Sequence, residues 1–210
     1  MNTLDNLGKY KILLASKSPR RRELLEMLRI PFNCISIGGL DESYPEDMPK
    51  ESVPQYLSNK KADAYISELK DNELIITADT LVIGLGSNPA AESSDSVLLG
   101  TRIFGKPKDN EDAKEMIKEL SGKIHKVITG VTIMTNRQRT SFTTSTEVKF
   151  GKLSDREIDF YVDTYHPLDK AGAYGIQEWI GCIAVEWING SFYNVMGLPV
   201  HRLYQELKFF

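Results

Sequence analysis

The stretch that most constrains this chain is Tyr10-Lys11-Ile12-Leu13-Leu14-Ala15, followed at once by Ser16-Lys17-Ser18-Pro19-Arg20-Arg21-Arg22-Glu23. The apolar run from Ile12 to Ala15 suits a strand buried on both faces. Ser18 is a helix-capping residue, and Pro19 fits a first helical turn, where a missing N–H costs nothing. Leu24, Leu25 and Leu28 then supply an apolar stripe. The stretch reads strand, tight loop, helix. A helix start offers unpaired N–H groups and a partial positive charge. Two serine hydroxyls and three consecutive arginines stand at that spot, and guanidinium forks match phosphate oxygens in pairs. These residues suit a polyanion, most simply a phosphate chain. On their own they leave two plainer readings open: a capped surface helix with a solvated basic patch, or a kinase target at Ser18-Pro19.

Charge makes any such site local. Lys and Arg number 26 against 29 Asp and Glu, a net charge of −3, so the molecule as a whole is no general nucleic-acid binder. A length of 210 residues allows one sizeable α/β domain or two small ones. Cys34 and Cys182 have no metal-ligand spacing; each lies in an apolar, strand-like run, which predicts buried thiols in a reducing compartment. The first eight residues lack the apolar core of a signal peptide. No apolar run approaches the ~20 residues that span a bilayer. The expected address is cytoplasmic, with no membrane partner.

After the first helix, Phe32-Asn33-Cys34-Ile35-Ser36-Ile37 alternates like a strand, and Gly38-Gly39 breaks it. An acidic, proline-punctuated loop follows, holding Asp41, Glu42, Glu46 and Asp47. It leaves a strand near the first one, so one of its carboxylates is a candidate for the same site. Ser52 and Pro54 open a second helix whose Lys60 and Lys61 point about 100° apart, so at most one is expected at a given ligand and two solvated lysines remain the simpler reading. Leu74-Ile75-Ile76-Thr77-Ala78-Asp79-Thr80-Leu81-Val82-Ile83 is an apolar run with one acid at its middle. A buried carboxylate needs a cation, a metal or donors, so Asp79 is a functional candidate if the run bends there.

Residues 84–102 are turn- and linker-like and predict a flexible excursion between two strands. Ile103-Phe104-Gly105-Lys106-Pro107 returns to the core. Asp109 caps a helix to Leu120 with Ala113, Met116, Ile117 and Leu120 on its apolar face, and Ser121-Gly122 ends it. Residues 126–134 and 139–150 predict an antiparallel strand pair turning near Asn136. Ser154 and Glu157 form a capping box for another helix. Residues 182–188 predict a strand, and residues 199–208 a last helix. His125 lies at a strand start and is expected in hydrogen-bonded packing rather than on a metal. No Gly-x-x-x-x-Gly-Lys-Ser/Thr loop occurs. Phosphate-binding cations beside carboxylates that take Mg²⁺ or polarise a water point to metal-assisted phosphoric-anhydride chemistry.

An ordered set of motifs resembles the Maf nucleotide pyrophosphatase family over nearly the whole chain. The set comprises Leu14-Ala15-Ser16-Lys17-Ser18-Pro19-Arg20-Arg21, Asp41-Glu42, Lys61-Ala62, Ala78-Asp79-Thr80, Gly105-Lys106-Pro107, Leu120-Ser121-Gly122 with His125 and Thr129-Gly130-Val131, Asp169-Lys170-Ala171-Gly172-Ala173-Tyr174-Gly175-Ile176-Gln177, and Asn194-Val195 with Gly197-Leu198-Pro199. The departure is the stretch 84–102, longer than the family's usual hairpin turn. The resemblance implies one Maf-like domain over 1–210, an elongated twisted mixed sheet with flanking helices and two lobes around a cleft, similar to the inosine-triphosphatase fold. It implies hydrolysis of a nucleoside triphosphate to the monophosphate and pyrophosphate with Mg²⁺ or Mn²⁺, and a homodimer. By position, Asp79 resembles the general base, and Glu42 and Asp79 the metal-linked carboxylates. Lys61 and Lys106 resemble catalytic lysines that, with Ser16, Ser18 and Arg21, make up the phosphate-binding set. Arg20, Thr80 and Gln177 match the branch acting on dTTP and UTP rather than the one acting on 7-methyl-GTP. The Gln177 amide carries a donor and an acceptor, which suits part of the acceptor–donor–acceptor edge of a uracil-type base. Two further readings follow from the same resemblance: a non-catalytic nucleotide-binding regulator of cell division, and a pyrophosphatase with purine preference.

Overall fold

The computed structural model describes residues 4–36, 39–84 and 102–210. Their strands are β1 (Lys11–Ala15), β2 (Phe32–Ile35), β3 (Glu73–Gly84), β4 (Arg102–Phe104), β5 (Ile124–Met134), β6 (Arg139–Phe150) and β7 (Val185–Asn189). The helices are α1 (Pro19–Met27), α2 (Val53–Asp63), α3 (Asn110–Leu120), α4 (Asp155–Tyr165), α5 (Trp179–Ala184), α6 (Phe192–Met196) and α7 (Val200–Leu207). The sheet is mixed and seven-stranded, in the order β2-β1-β3-β5-β6-β7, with β4 paired to β3 off that path. β1 is parallel to both β2 and β3, whereas β4 is antiparallel to β3 and β7 to β6. The chain thus has the expected α/β class with a mixed sheet and flanking helices. The excursion expected at 84–102 lies, apart from its end residues Gly84 and Arg102, outside the described residues.

The chain divides into two compact units. The first takes residues up to 80, 128–144 and 193–210. Its strands β1 and β3 bury both faces, as an apolar β1 requires. On one face Ile12, Leu14, Leu74, Ile76, Ala78, Val131 and Ile133 meet Leu24 and Leu25 of α1 and Leu203 and Leu207 of α7. On the other, Leu13, Ile75 and Met134 meet Ala62 of α2, with Tyr65 and Leu69 packed at the margin. Alternate residues of one strand therefore face different helices. Ser18 caps α1 as expected: its hydroxyl accepts from the Arg21 N–H, and Pro19 lies in the first turn. Ser52 directly precedes α2 but makes no side-chain cap. A 3-10 turn, Lys50–Ser52, leads straight into that helix, so Ser52 already has helical angles.

The second unit takes residues 81–127 and 145–192. Asp109 caps α3 by accepting from the Asp112 N–H, and Ala113, Met116, Ile117 and Leu120 are buried as expected. Ser154 and Glu157 form the capping box of α4. Gly172 has φ +70, and a Cβ there would lie 2.9 Å from Val82 Cγ2. His125 is fully buried, with its Nε2 2.8 Å from the Tyr174 hydroxyl and its ring edge-on to Phe150. Burial pushes its pKa down to about 3, so the imidazole is neutral.

Two expectations are corrected. Residues 182–184 are helical, and the strand begins only at Val185. Gly181 permits the tight turn, since a Cβ there would lie 1.8 Å from the Ile176 carbonyl oxygen. Both thiols, expected buried, are exposed. Cys34 sits on β2, which ends the strand order and has one sheet neighbour; Cys182 sits on the outer side of the short α5, not in a strand.

Candidate active site

β1 stops while its parallel neighbour continues. Their pairing ends at Leu14↔Ile76, and β3 runs on unbroken through Thr77, Ala78, Asp79 and Thr80. The end-of-strand position expected for Asp79 thus arises because β1 ends, and needs no bend in β3. Ligands of open α/β sheets gather beyond such strand ends.

The turn after β1 is built by its own serines. Ser16 Oγ accepts from the Ser18 N–H at 3.1 Å, and Ser18 Oγ accepts from the Arg21 N–H at 3.4 Å. Arg20, in the first turn of α1, is half-buried. The Arg21 side chain reaches across the turn to two main-chain acceptors and one hydroxyl. Its Nε donates to Gly197 O at 2.8 Å, Nη1 to Ala78 O at 2.8 Å, and Nη2 to Thr80 Oγ1 at 2.9 Å. Burial lowers the Arg21 pKa, and the negative charge of Asp79 acts in the opposite sense. Thr80 Oγ1 is also 3.0 Å from Thr129 Oγ1. Thr129 in turn donates to the Asn194 carbonyl at 3.2 Å.

On the other face of β3, Lys61 of α2 joins two carboxylates. Its Nζ lies 2.6 Å from Asp79 Oδ1 and 3.1 Å from Glu42 Oε1. Asp79 and Lys61 keep only 13% and 16% of their side-chain surface exposed, against 57% for Glu42. Lys60, which the sequence left as solvated, is engaged as well: its Nζ donates to Asp41 Oδ2 at 2.9 Å and to Ser43 O at 3.0 Å. Asp41 also accepts from the Ser43 N–H and hydroxyl, and these bonds hold its carboxyl well below the usual carboxylate range. Adjacent lysines, 100° apart on the helix, thus hold adjacent acids of one loop.

The structure brings Asp79, Lys61 and Glu42 into direct contact, and Arg21 into contact with Thr80. Ser16, Ser18 and Arg20 belong to the same unit. Lys106 and Gln177 belong to the second unit, where both are exposed. The loop before Gln177 is fixed by buried Lys170, whose Nζ lies 2.8 Å from Asp169 Oδ1 and 3.2 Å from Glu178 Oε1. Glu178 also accepts from the Tyr161 hydroxyl, and Tyr161 Oη accepts from the Gly175 N–H at 3.0 Å.

Among the described residues no group of three or more His, Cys, Asp and Glu is placed to hold a metal. Two carboxylate oxygens within hydrogen-bond reach of one ammonium do suit a small hard cation. Mg²⁺ is commonly held by one or two carboxylates, its other positions being filled by water and substrate phosphates. Glu42 and Asp79 fit an ion of that kind, and do not fit a closed all-protein cage.

The family model described as "Maf-like protein" matches residues 11–210. A protein from Parabacteroides distasonis named dTTP/UTP pyrophosphatase is 52% identical over 207 residues, covering 99% of this chain and all of the relative. One of the same name from Bacteroides thetaiotaomicron is 49% identical over 205 residues, covering 98% of both chains. A solved HAM1 protein from Coxiella burnetii is 13% identical with a TM-score of 0.38, covering 69% of this chain and 74% of its own, a likeness too slight to argue from.

Proposed function

The chain belongs to the family of Maf-like proteins, and on that footing we propose that it hydrolyses nucleoside triphosphates, dTTP and UTP foremost, to the monophosphate and pyrophosphate. The names borne by relatives about half identical over nearly their full length support this reading. The observation that carries it is the Lys61 ammonium shared by Asp79 and Glu42. A carboxylate held by an ammonium beyond the end of β1, in the same unit as the helix start that follows it, has the composition needed for anhydride hydrolysis.

In this reading Asp79 takes the proton from the attacking water. That water oxygen bonds to phosphorus as the bond between the α- and β-phosphates breaks, and pyrophosphate leaves with the electron pair. Lys61, 2.6 Å from Asp79 Oδ1, holds the carboxylate in place. A Mg²⁺ or Mn²⁺ ion, held by Glu42 and Asp79, would supply positive charge to the phosphate oxygens. The Ser16–Ser18 turn with Arg20 and Arg21 receives the phosphate chain as a fixed positive frame, and Lys106 adds charge. Three Arg21 N–H groups already rest on protein acceptors, so its contribution is a positive potential more than a mobile fork. Thr80 and Gln177 select a pyrimidine. We infer one functional domain over 1–210, supported by the unbroken family match from residue 11 onward. A cytoplasmic address, a homodimer and the absence of a nucleic-acid partner follow as proposals from the same family membership.

The test is pyrophosphate release from a panel of dTTP, UTP, CTP, ATP, GTP and 7-methyl-GTP with Mg²⁺. Monophosphate and pyrophosphate from dTTP and UTP at the highest kcat/KM are expected. A tenfold preference for any purine, about 1.4 kcal/mol, overturns the pyrimidine assignment. Tight nucleotide binding without turnover overturns the enzyme.

A further inference from the structure

Lys61 meets Asp79 only if α2 lies on β3 at one height and one rotation. The apolar contacts under this helix do not impose that. Leu13, Ile75, Ala62 and Met134 form a small cluster, and apolar packing is non-directional. Directional contacts lie immediately beside it. Thr77 and Asp79 share one face of β3, and Ser58 and Lys61 share one face of α2. Thr77 Oγ1 donates to the Ser58 carbonyl at 2.7 Å, and Ser58 Oγ lies 3.4 Å from the Thr77 carbonyl. Ser58 Oγ is also 2.8 Å from Thr132 Oγ1, which donates to Asn59 Oδ1 at 2.8 Å. Ser58, Thr77 and Thr132 are all completely buried. One helical turn earlier, α2 rests on bare backbone. A Cβ on Gly130 of β5 would lie 2.4 Å from the Gln55 nitrogen and 2.5 Å from the Pro54 carbonyl carbon.

We propose that this dry hydroxyl seam, with Gly130 as its close-approach point, sets the register that places the Lys61 ammonium on Asp79, and that Thr77 and Ser58 are positioning residues for the reaction. A hydrogen bond between buried hydroxyls weakens steeply with distance and angle, and its loss leaves polar atoms unpaired in a dry interface. A slide of α2 along β3 would break several at once. Thr77 lies two residues before Asp79 on the strand and Ser58 one helical turn before Lys61, so a displacement of α2 at the seam also displaces Lys61 from Asp79. The inference rests on Asp79 being the general base.

The test compares Thr77→Val, Thr77→Ser, Ser58→Ala and Lys61→Met in the full chain, with Asp79→Asn as reference and urea unfolding to establish folding. Thr77→Val keeps the side-chain shape and loses the donor. It is expected to fold, to lose about tenfold in kcat and to keep KM for dTTP within about twofold. Thr77→Ser restores kcat. Ser58→Ala, which spares the Thr77 Oγ1 bond to the Ser58 carbonyl, loses less. In the Lys61→Met background, Thr77→Val has no further effect on kcat, because the contact it positions is gone. A Thr77→Val or Ser58→Ala protein that loses only stability and keeps wild-type kcat overturns the inference, as does full additivity with Lys61→Met. Should Thr77→Val not fold, Ser58→Ala and its additivity with Lys61→Met decide the matter in the same terms. Turnover retained by Asp79→Asn overturns the functional reading itself, a separate result.

Discussion

Asp79 and Thr80, neighbours in β3, turn their side chains to opposite faces of the sheet. The Asp79 carboxylate meets Lys61 of α2, while the Thr80 hydroxyl meets Arg21 of α1 and Thr129 of β5. The contacts on the two faces are therefore joined through the backbone between them, and the Arg21 guanidinium holds that backbone at Ala78 O.

Asp79→Asn is expected to fold and to lose turnover. The amide keeps the shape but accepts no proton and binds a hard cation poorly. The rate should fall by roughly a hundredfold to ten-thousandfold, the usual worth of a general base. Pyrophosphate release near the wild-type rate from the folded variant removes Asp79 from the chemistry.

Arg21→Ala should lower stability more than an exposed helix substitution does. It strips donors from Gly197 O, Ala78 O and Thr80 Oγ1, segments 57 to 176 residues away in sequence. Hydrogen bonds from a charged donor contribute about 1.5–3 kcal/mol each, less where water replaces the donor, so a total loss of about 3 kcal/mol is expected. The check is the urea midpoint at constant m; an unchanged midpoint means the guanidinium clamps nothing.

Gly172→Ala should destabilise the second unit by about 1–3 kcal/mol. The position has φ +70, and the added methyl would meet Val82 at 2.9–3.2 Å. Thermal unfolding of the variant tests this, and the double variant Gly172→Ala/Val82→Ala should recover part of the loss. No recovery would locate the cost in backbone strain alone.

His125 gives stability a definite pH dependence. Its pKa is lowered to about 3 in the fold from an ordinary 6.5. The unfolded chain therefore binds a proton that the folded chain refuses as pH falls from 6.5 towards 3. Stability from this residue is complete above pH 6.5 and is lost on acidification, by up to about 1.4 kcal/mol per pH unit inside the window. His125→Gln, which keeps a group able to bond Tyr174, should flatten the fall in urea midpoint between pH 6 and 4.5. Identical slopes in both proteins would show that other groups carry the acid dependence.

What the sequence determined by itself is local. The strand–turn–helix at residues 10–23, the caps at Ser18, Asp109 and Ser154, and the apolar face of α3 all stand where pattern and capping chemistry put them. Those signals come from interactions within about four residues, which a linear reading contains whole. The ordered motifs carried the family for the same reason, being a record of residue types in order. The tertiary structure decided who meets whom. Lys61 and Asp79 are 18 residues apart, and nothing in either neighbourhood says that Lys61 takes Asp79 and Glu42 while Lys60 takes Asp41 and Ser43. Arg21 looked like a phosphate fork because two of its three acceptors are main-chain oxygens, which every residue has and no residue type advertises. Nothing in the sequence singles out Thr77 or Ser58; the register between α2 and β3 sets them face to face. Cys34 was misjudged because an alternating apolar run does not say whether its strand lies inside a sheet or at its edge. Such partnerships depend on packing between elements distant in the chain, and the free energy that selects one register over its neighbours belongs to the assembled sheet and helices, not to any segment alone.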